Sequence, residues 1–214
     1  MRHVAVIDYG MGNLRSVSKA LETVADGVAI EVTSDPDRIL TASHVIFPGV
    51  GAIRDCIAEL KRLQLDDVIQ NVITNGTPLL GICLGMQAML AHSEENGGIE
   101  GLNIFSGNVR HFDIKPDANG EHLKVPHMGW NQVHQSSAHP LWQNIDQDSR
   151  FYFVHSYFVA PDNANVIAAT TAYPAEFTSA IQRDNVFAVQ FHPEKSQHAG
   201  LQLLKNFLNW DGKS

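Results

Sequence analysis

The sequence predicts an α/β fold with a flavodoxin-like sheet, which is parallel in the N-terminal half and gains antiparallel strands from the C-terminal half. Up to residue 92, short apolar runs alternate with amphipathic stretches, a βαβ rhythm that builds a parallel sheet with helices on both faces. Beyond that point, apolar and polar residues alternate between turns and prolines, as in antiparallel strands. The 214 residues contain no internal repeat and no linker, so we expect one domain over residues 1–214.

Hydrophobic periodicity predicts the elements of the first half. Short apolar or β-branched runs indicate strands, and Pro48 followed by Gly49 ends the third of them. Apolar residues at helical spacing indicate the helices that connect the strands. The predicted strands are His3–Asp8, Val28–Thr33, His44–Phe47 and Pro78–Ile82. The predicted helices are Leu14–Val24, Ala52–Leu63, Leu65–Thr74 and Leu84–His92.

Alternation and turn residues predict the elements of the second half. The polar run Lys115–Glu121 indicates a loop, and the aromatic run Phe151–Phe158 is by default a core strand. Antiparallel strands are expected near residues 104–112, 151–159, 165–171, 177–182 and 186–191. A C-terminal helix is expected at Gly200–Trp210.

Composition and charge argue against several functions. The formal charge of −8 and the lack of a basic tract disfavour nucleic-acid binding. No apolar run approaches the roughly 20 residues that span a bilayer, so we expect no membrane association. The 2 cysteines do not make a disulfide framework and fit a reducing cytoplasm. The 11 histidines lack metal-binding spacing, and His-Glu-x-x-His and Cys-x-x-Cys are absent, so we expect no metal and no cofactor.

Cys83 lies where an apolar strand meets a helix, inside the Gly-x-Cys-x-Gly pattern of Gly81–Gly85. This is a thiol version of the nucleophile elbow, a sharp turn that holds a reactive side chain in the open. The helix that begins there directs free N–H groups and a positive dipole end at the sulfur, which favours the thiolate. Cys56 has no such frame and is predicted to be a small buried hydrophobic residue.

A second motif lies far downstream, at Gln190–Lys195. His192 and Glu194 stand two residues apart in an extended segment, so their side chains can point the same way. A cysteine, a histidine and a carboxylate together can make a nucleophile, a base and a group that orients the base. Cys83, His192 and Glu194 are therefore the predicted catalytic residues.

Two glycine-containing loops follow predicted strands and each has two interpretations. Pro48–Gly51 is a simple turn or an oxyanion loop, in which glycines let a peptide N–H turn toward a developing negative charge. Asp8–Asn13 resembles a phosphate loop, but it lacks the third glycine of Gly-x-Gly-x-x-Gly and a following Lys-Ser/Thr. It is therefore interpreted as a surface loop near the crevice that touches a partner. Because sites form at the carboxyl ends of parallel strands, one crevice could gather both loops and Cys83.

These motifs, with Pro126–Asn131 and Tyr152–Tyr157, closely resemble those of the class I, triad-type glutamine amidotransferases. The set of six motifs, in this order, is similar to that of the glutaminase subunits of imidazole glycerol phosphate synthases, enzymes of histidine biosynthesis. Met128 and Trp130 beside Gly129 also suggest an exposed apolar loop, which often marks a protein interface.

The resemblance implies that the chain hydrolyses L-glutamine to glutamate and ammonia. It implies an oxyanion hole built from the backbone N–H groups of Val50 and Leu84, next to Gly51. It implies substrate contacts from Gly49, Gln87, Glu95, His155, Ser156 and Tyr157. It also implies a heterodimer that passes the ammonia to a (β/α)8-barrel synthase subunit, which makes imidazole glycerol phosphate and aminoimidazole carboxamide ribotide. The residues expected at the interface or the gate between sites are Asn13, Pro126, His127, Met128, Trp130 and Tyr152.

Three alternatives stay open on the sequence alone. Another class I amidotransferase, serving anthranilate, aminodeoxychorismate, purine or pyridoxal phosphate synthesis, would keep the triad and lack Pro126–Trp130. A cysteine peptidase of the same general fold would need an open cleft rather than a pocket closed around one amino acid. A non-catalytic binding module is disfavoured because a complete Cys/His/Glu set has little structural purpose.

Overall fold

The computed structural model describes residues 3–113 and 124–213. Its strands are β1 His3–Ile7, β2 Ala29–Thr33, β3 His44–Gly49, β4 Leu79–Cys83, β5 Leu90–Ser93, β6 Ile99–Glu100, β7 Phe105–His111, β8 His127–Gln132, β9 His134–Gln135, β10 Arg150–His155, β11 Tyr157–Pro161, β12 Ile167–Ala172, β13 Glu176–Arg183 and β14 Val186–Val189. Its α-helices are α1 Leu14–Val24, α2 Pro36–Leu40, α3 Ile53–Arg62, α4 Leu65–Thr74, α5 Leu84–Ala88 and α6 Gln197–Asn209.

One large sheet runs through both halves of the chain in the order β2-β1-β3-β4-β14-β13-β11-β7-β5-β6. The first five strands in this order are mutually parallel. From β14 to β13 the pairing becomes antiparallel, and β12 adds to β13 in the same sense. A separate two-stranded sheet pairs β8 with β10.

Helices cover both faces of the large sheet, and each face has its own core. Along β1, Ala5 and Ile7 point into one core, where residues of α3 and α4 also pack. Val4 and Val6 point into the other core, with residues of α1 and α6. Because successive side chains of a strand alternate between faces, an uninterrupted apolar run such as β1 is what a strand covered on both sides requires.

The predicted fold class is confirmed by this architecture. The bounds of α1 and α4 agree with the sequence prediction, and no end of β1 to β4 differs from it by more than two residues. The predicted C-terminal helix begins earlier, at Gln197, and ends at Asn209. The polar loop predicted at Lys115–Glu121 lies outside the described residues. None of the helices in residues 3–113 and 124–213 has the length and apolar character needed to span a bilayer.

Four predictions for individual segments were wrong. The helix expected at Leu84–His92 ends at Ala88, because the next residues form β5 and pair with β7. The strand expected at 151–159 breaks at Ser156 into β10 and β11, which belong to different sheets. The last strand, β14, is antiparallel to β13 but parallel to β4. Pro126–Asn131 is not a loop, since β8 occupies most of it.

Candidate active site

Cys83 forms the sharp turn between β4 and α5. Its backbone has φ 54° and ψ −108°, a conformation that is strained for a residue with a side chain. The turn is tight enough that a Cβ on Gly85 would lie 2.0 Å from the carbonyl oxygen of Phe47. The elbow predicted from Gly-x-Cys-x-Gly is therefore present, with glycine required by the close approach of β3. Because α5 is a single short helix, its dipole is smaller than the sequence suggested.

His192 is brought beside Cys83 by the pairing of β14 with β4. Val189 lies opposite Ile82, so the chain that continues beyond β14 passes the elbow. The backbone of His192 is held at both ends: its N–H donates to Tyr152 O at 2.9 Å, and its carbonyl accepts from the Ser196 hydroxyl at 2.6 Å. These bonds fix the direction in which the imidazole leaves the main chain.

Glu194 orients the imidazole of His192. The Nδ1 atom donates to Glu194 Oε1 at 2.8 Å, and the two side chains are only 2% and 1% exposed. Burial alone would lower the pKa of His192, but the negative charges of Cys83 and Glu194 outweigh burial and raise it to about 10. The remaining nitrogen, Nε2, is buried and forms no hydrogen bond to any described residue. Among the groups that raise the pKa of His192, the largest contribution comes from Cys83.

A cavity of about 310 Å³ opens beside the sulfur, at the lower end of the range of roughly 300–1,000 Å³ seen for small-molecule sites. Predicted oxyanion, catalytic and substrate residues line it together. The lining residues are Val50, Gly51, Cys83, Leu84, Gln87, Glu95, Pro126, Val154, His155, Ser156, Tyr157 and His192. The carboxyl ends of β3 and β4 and the ends of β10 and β11 meet here, as expected for an α/β sheet.

Two polar side chains of the cavity are already bonded to protein. The Gln87 amide nitrogen donates to Tyr157 O at 2.9 Å and to Gln190 Oε1 at 3.0 Å. Glu95 accepts from the backbone N–H of Ile53 at 3.2 Å, which ties it to the start of α3. A carboxylate has further acceptor positions, so this bond leaves Glu95 able to accept another hydrogen bond.

Comparisons with known proteins identify the family to which the chain belongs. The family model described as "Glutamine amidotransferase class-I" matches residues 5–210. The chain belongs to this family. A cysteine peptidase and a non-catalytic binding module are thereby excluded as alternatives, since class I glutamine amidotransferases are enzymes that act on glutamine.

Curated relatives extend over the whole chain. Imidazole glycerol phosphate synthase subunit HisH of Nitrosococcus oceani is 61% identical, covering 100% of both chains. The protein of the same name from Acinetobacter baylyi is 57% identical, covering 99% of this chain and 100% of its own. Among solved structures, PurLQS from Thermotoga maritima has a TM-score of 0.71 at 15% identity, covering 97% of this chain and 98% of that one. A structure described as a glutamine amidotransferase has a TM-score of 0.72 at 16% identity, with 98% of each chain covered.

Two of the catalytic, oxyanion and substrate residues predicted for this amidotransferase do not line the cavity. Glu194 lies on the side of His192 away from the cavity, where it bonds Nδ1 and orients the imidazole. Gly49, expected to contact substrate, is instead packed beneath the site. A Cβ there would lie 2.5 Å from the Tyr9 hydroxyl and 2.9 Å from Leu84 Cβ, so Gly49 allows β3 to pass close to the elbow. The Tyr9 hydroxyl also donates to Pro48 O at 2.9 Å, which holds this loop from below.

His127 requires a correction, because its side chain is 3% exposed and cannot contact a partner directly. It belongs to a buried chain of hydrogen bonds that fixes the tautomers. His155 Nδ1 donates to Tyr157 O at 2.8 Å, so its Nε2 accepts from His127 Nδ1 at 2.9 Å. His127 Nε2 in turn accepts from the Asn131 amide at 3.3 Å. Burial lowers the pKa of His127 to about 4 and that of His155 to about 3.

The other residues predicted at an interface lie at the surface near the site. Met128 and Trp130 on β8 are 62% and 37% exposed. Trp130 meets Tyr152 of β10 edge to face, with ring centroids 6.2 Å apart. Lys195 Nζ lies 5.9 Å from the centre of the Tyr152 ring. Pro126 lines the cavity itself, and Asn13 precedes α1.

Sequence reasoning missed two polar residues of the site, Gln190 and Ser196. Gln190 is fully buried, and its amide nitrogen lies 3.6 Å from Cys83 Sγ. The alternation that pairs His192 with Glu194 extends back to Gln190 and would have identified it. Ser196 accepts from the N–H of Tyr152 at 3.0 Å and donates to His192, and only the tertiary fold reveals this bridge.

Proposed function

We propose that this chain hydrolyses L-glutamine through Cys83, His192 and Glu194 and delivers the ammonia to a synthase subunit. The observation that carries the proposal is the position of the His192 imidazole between the Glu194 carboxylate and the Cys83 sulfur, at the wall of the cavity. The raised pKa of His192 supports a protonated imidazole at rest beside the Cys83 sulfur, and the thiolate is the reactive form of a cysteine nucleophile.

The reaction begins with attack of the Cys83 thiolate on the side-chain amide carbon of glutamine. His192 gives its Nε2 proton to the departing nitrogen, and ammonia leaves as the glutamyl thioester forms. The neutral imidazole then takes a proton from water, which attacks the thioester and releases glutamate. Glu194 keeps the proton on Nδ1 throughout, so that Nε2 remains the nitrogen that faces the sulfur.

The developing oxyanion needs donors already aimed at it. Leu84 is the first residue of α5, and its N–H has no partner within that helix. Val50 borders the same cavity and is followed by Gly51, whose φ of 101° is accessible mainly to glycine. We assign these two backbone N–H groups to the oxyanion hole, with Gly51 permitting rotation of the loop.

The amino group of glutamine is positively charged and needs hydrogen-bond acceptors, whereas its carboxylate needs donors. Glu95 is the acceptor at the cavity wall that suits the ammonium group. The backbone at His155, Ser156 and Tyr157, where β10 gives way to β11, borders the cavity and suits the carboxylate end. Gln87 stiffens this wall through its bond to Tyr157 O.

The receiver of ammonia is proposed from the relatives. Full-length relatives named imidazole glycerol phosphate synthase subunit HisH support this partner over those of other class I amidotransferases. The partner would be a (β/α)8-barrel subunit in a heterodimer, producing imidazole glycerol phosphate and aminoimidazole carboxamide ribotide. Free ammonia protonates in water near pH 7, so transfer through a shielded path preserves its nucleophilicity. The candidates for that interface are the exposed Met128 and Trp130 and the half-buried Tyr152.

We further propose that residues 1–214 form one domain that works in the cytoplasm. The single large sheet that joins the two halves supports one domain. Both cysteines, Cys56 and Cys83, are free, as a reducing compartment would keep them.

Glutamate release should be measured for the chain alone, with the barrel subunit, and with the barrel subunit plus its nucleotide ligand. We expect a low rate for the chain alone and a rise on loading the partner, because ammonia made without an acceptor is wasted. Formation of imidazole glycerol phosphate from glutamine in the loaded complex, but not in a Cys83→Ala complex, would support the proposal. Glutamine-dependent product formation by the Cys83→Ala complex would overturn it.

A further inference from the structure

Gln190 lies directly beside the nucleophile and has no part in the triad. It follows β14, whose Val189 is opposite Ile82, so the parallel register carries Gln190 to the level of Cys83. Its backbone N–H donates to Ser179 O at 2.9 Å, which keeps the main chain against β13. The side chain is fully buried, and a buried amide is retained only where its polar atoms are bonded.

The orientation of the Gln190 amide is fixed by its neighbours. Gln87 presents one atom both to the carbonyl oxygen of Tyr157 at 2.9 Å and to Gln190 at 3.0 Å. A carbonyl oxygen only accepts, so that atom of Gln87 is the NH2 group. The Gln190 atom that faces it is therefore the oxygen, Oε1. The Gln190 NH2 group is left pointing at Cys83 Sγ, 3.6 Å away.

We propose that Gln190 is a catalytic residue that donates a hydrogen bond from Nε2 to the Cys83 sulfur. The donor acts on the thiolate and not on the thiol, since a hydrogen bond to the charged form favours that form. The same donor holds the Cys83 sulfur at the cavity. His192 approaches that sulfur with its own Nε2 atom. This inference rests on the nucleophilic part proposed for Cys83.

The expected effect follows from the strength of one hydrogen bond to a charged group. Loss of such a donor lowers the thiolate population about 10-fold at neutral pH. Reaction with a small electrophile that needs no substrate site, such as iodoacetamide, reports this population directly. Cys56 does not interfere near pH 7, because burial raises the pKa of its thiol to about 12.

The test is the rate of Cys83 alkylation by iodoacetamide, located by peptide mass spectrometry, as a function of pH. Gln190→Met keeps the length of the side chain without the donor, and we expect alkylation about 10-fold slower at pH 7 with the deficit closing as pH rises. Gln190→Glu places a second negative charge at the sulfur and should be slower still. Gln182→Leu is the matched control, a strand glutamine bonded to Ser137 away from the site, and should react like wild type.

Wild-type alkylation in folded Gln190→Met and Gln190→Glu would overturn the inference. If one variant of Gln190 fails to fold, the other supplies the measurement. Failure of the triad would look different, since Cys83→Ala would then retain glutamine hydrolysis, whereas failure of this inference leaves Cys83→Ala inactive.

Discussion

Two buried histidines near the cavity, His192 and His155, have opposite electrostatic environments. Each donates from Nδ1 at 2.8 Å, His192 to the Glu194 carboxylate and His155 to the carbonyl oxygen of Tyr157. Their pKa values move apart, to about 10 for His192 and about 3 for His155. Burial lowers both, so the charge of the neighbouring groups decides the direction. The charged acceptor of His192 suits a group that transfers protons. The neutral acceptor of His155 suits a histidine that stays neutral and serves as a structural hydrogen-bond donor.

The surroundings of the two residues differ in the same way. His192 lies beside the Cys83 sulfur at the wall of the cavity, whereas His155 bonds to His127 inside an aromatic cluster. His127 stacks on Tyr173 with ring centroids 3.9 Å apart, and His155 contacts Phe112 at 5.2 Å. The neutral pair thus shapes the wall of the site, and His192 carries the chemistry.

The largest effect is expected at the charged site. Cys83→Ala and His192→Ala should each lower glutamine hydrolysis at least about 10⁴-fold, and the double variant should be little worse, since a triad acts as a unit. The readout is glutamate release by the complex, with ammonium salts supplied separately to show that the synthase still works. Cys56→Ala is the control and should keep activity, because Cys56 is buried in the core.

Removing the charge of Glu194 should make the His192 site more like the His155 site. Glu194→Gln leaves a neutral acceptor at Nδ1, so the pKa of His192 should fall and kcat should drop about 10⁴-fold, less than on loss of the nucleophile or the base. The ring resonance of His192, followed by NMR against pH, measures the pKa directly. An unchanged pKa and a near wild-type rate would show that another group orients the histidine.

Much of this charged site was predictable, and much of the neutral one was not. Gly81–Gly85 and the His-x-Glu spacing are local patterns, and strand alternation alone predicts which side chains share a face. The burial of His127 depends on the pairing of β8 with β10 and on Tyr173, which no local pattern contains. The early end of α5 likewise depends on the pairing of β5 with β7, a tertiary contact that overrides helix propensity.

A change in the neutral pair should affect binding more than chemistry. His155→Gln loses the bond to Tyr157 O and the acceptor for His127, so the wall at Ser156 relaxes. We expect KM for glutamine to rise about 5–10-fold with a smaller change in kcat. Steady-state kinetics of the complex test this, and a loss of kcat as large as that of His192→Ala would contradict the division between the two histidines.

The smallest expected effect is on stability against pH. The folded-state pKa of His155, about 3, lies below the unfolded value near 6.5, so the unfolded chain binds more protons as pH falls. The contribution of neutral His155 to the free energy of unfolding is fully present above pH 6.5 and is lost as pH falls toward 3. Between pH 7.5 and 5.5 this amounts to about 1 kcal/mol of unfolding free energy. Urea unfolding of His155→Gln should show a weaker pH dependence than wild type.

His134→Gln is the matched control for that comparison. His134 is 60% exposed and pairs with Asp148 at the surface. Exposed pairs contribute little to stability, so this variant should follow the wild-type pH dependence. A flattened dependence in His134→Gln, or an unchanged one in His155→Gln, would show that other groups determine the acid sensitivity.

The central claim, that Cys83 is the nucleophile for glutamine hydrolysis, is tested most directly by a glutamine-like electrophile. The complex is treated with the reagent, and mass spectrometry locates the label while glutamate release is followed. We predict label on Cys83 alone, protection by L-glutamine, and loss of activity in proportion to labelling. Label on Cys56, or full glutaminase activity in a complex whose Cys83 is completely labelled, would contradict the account.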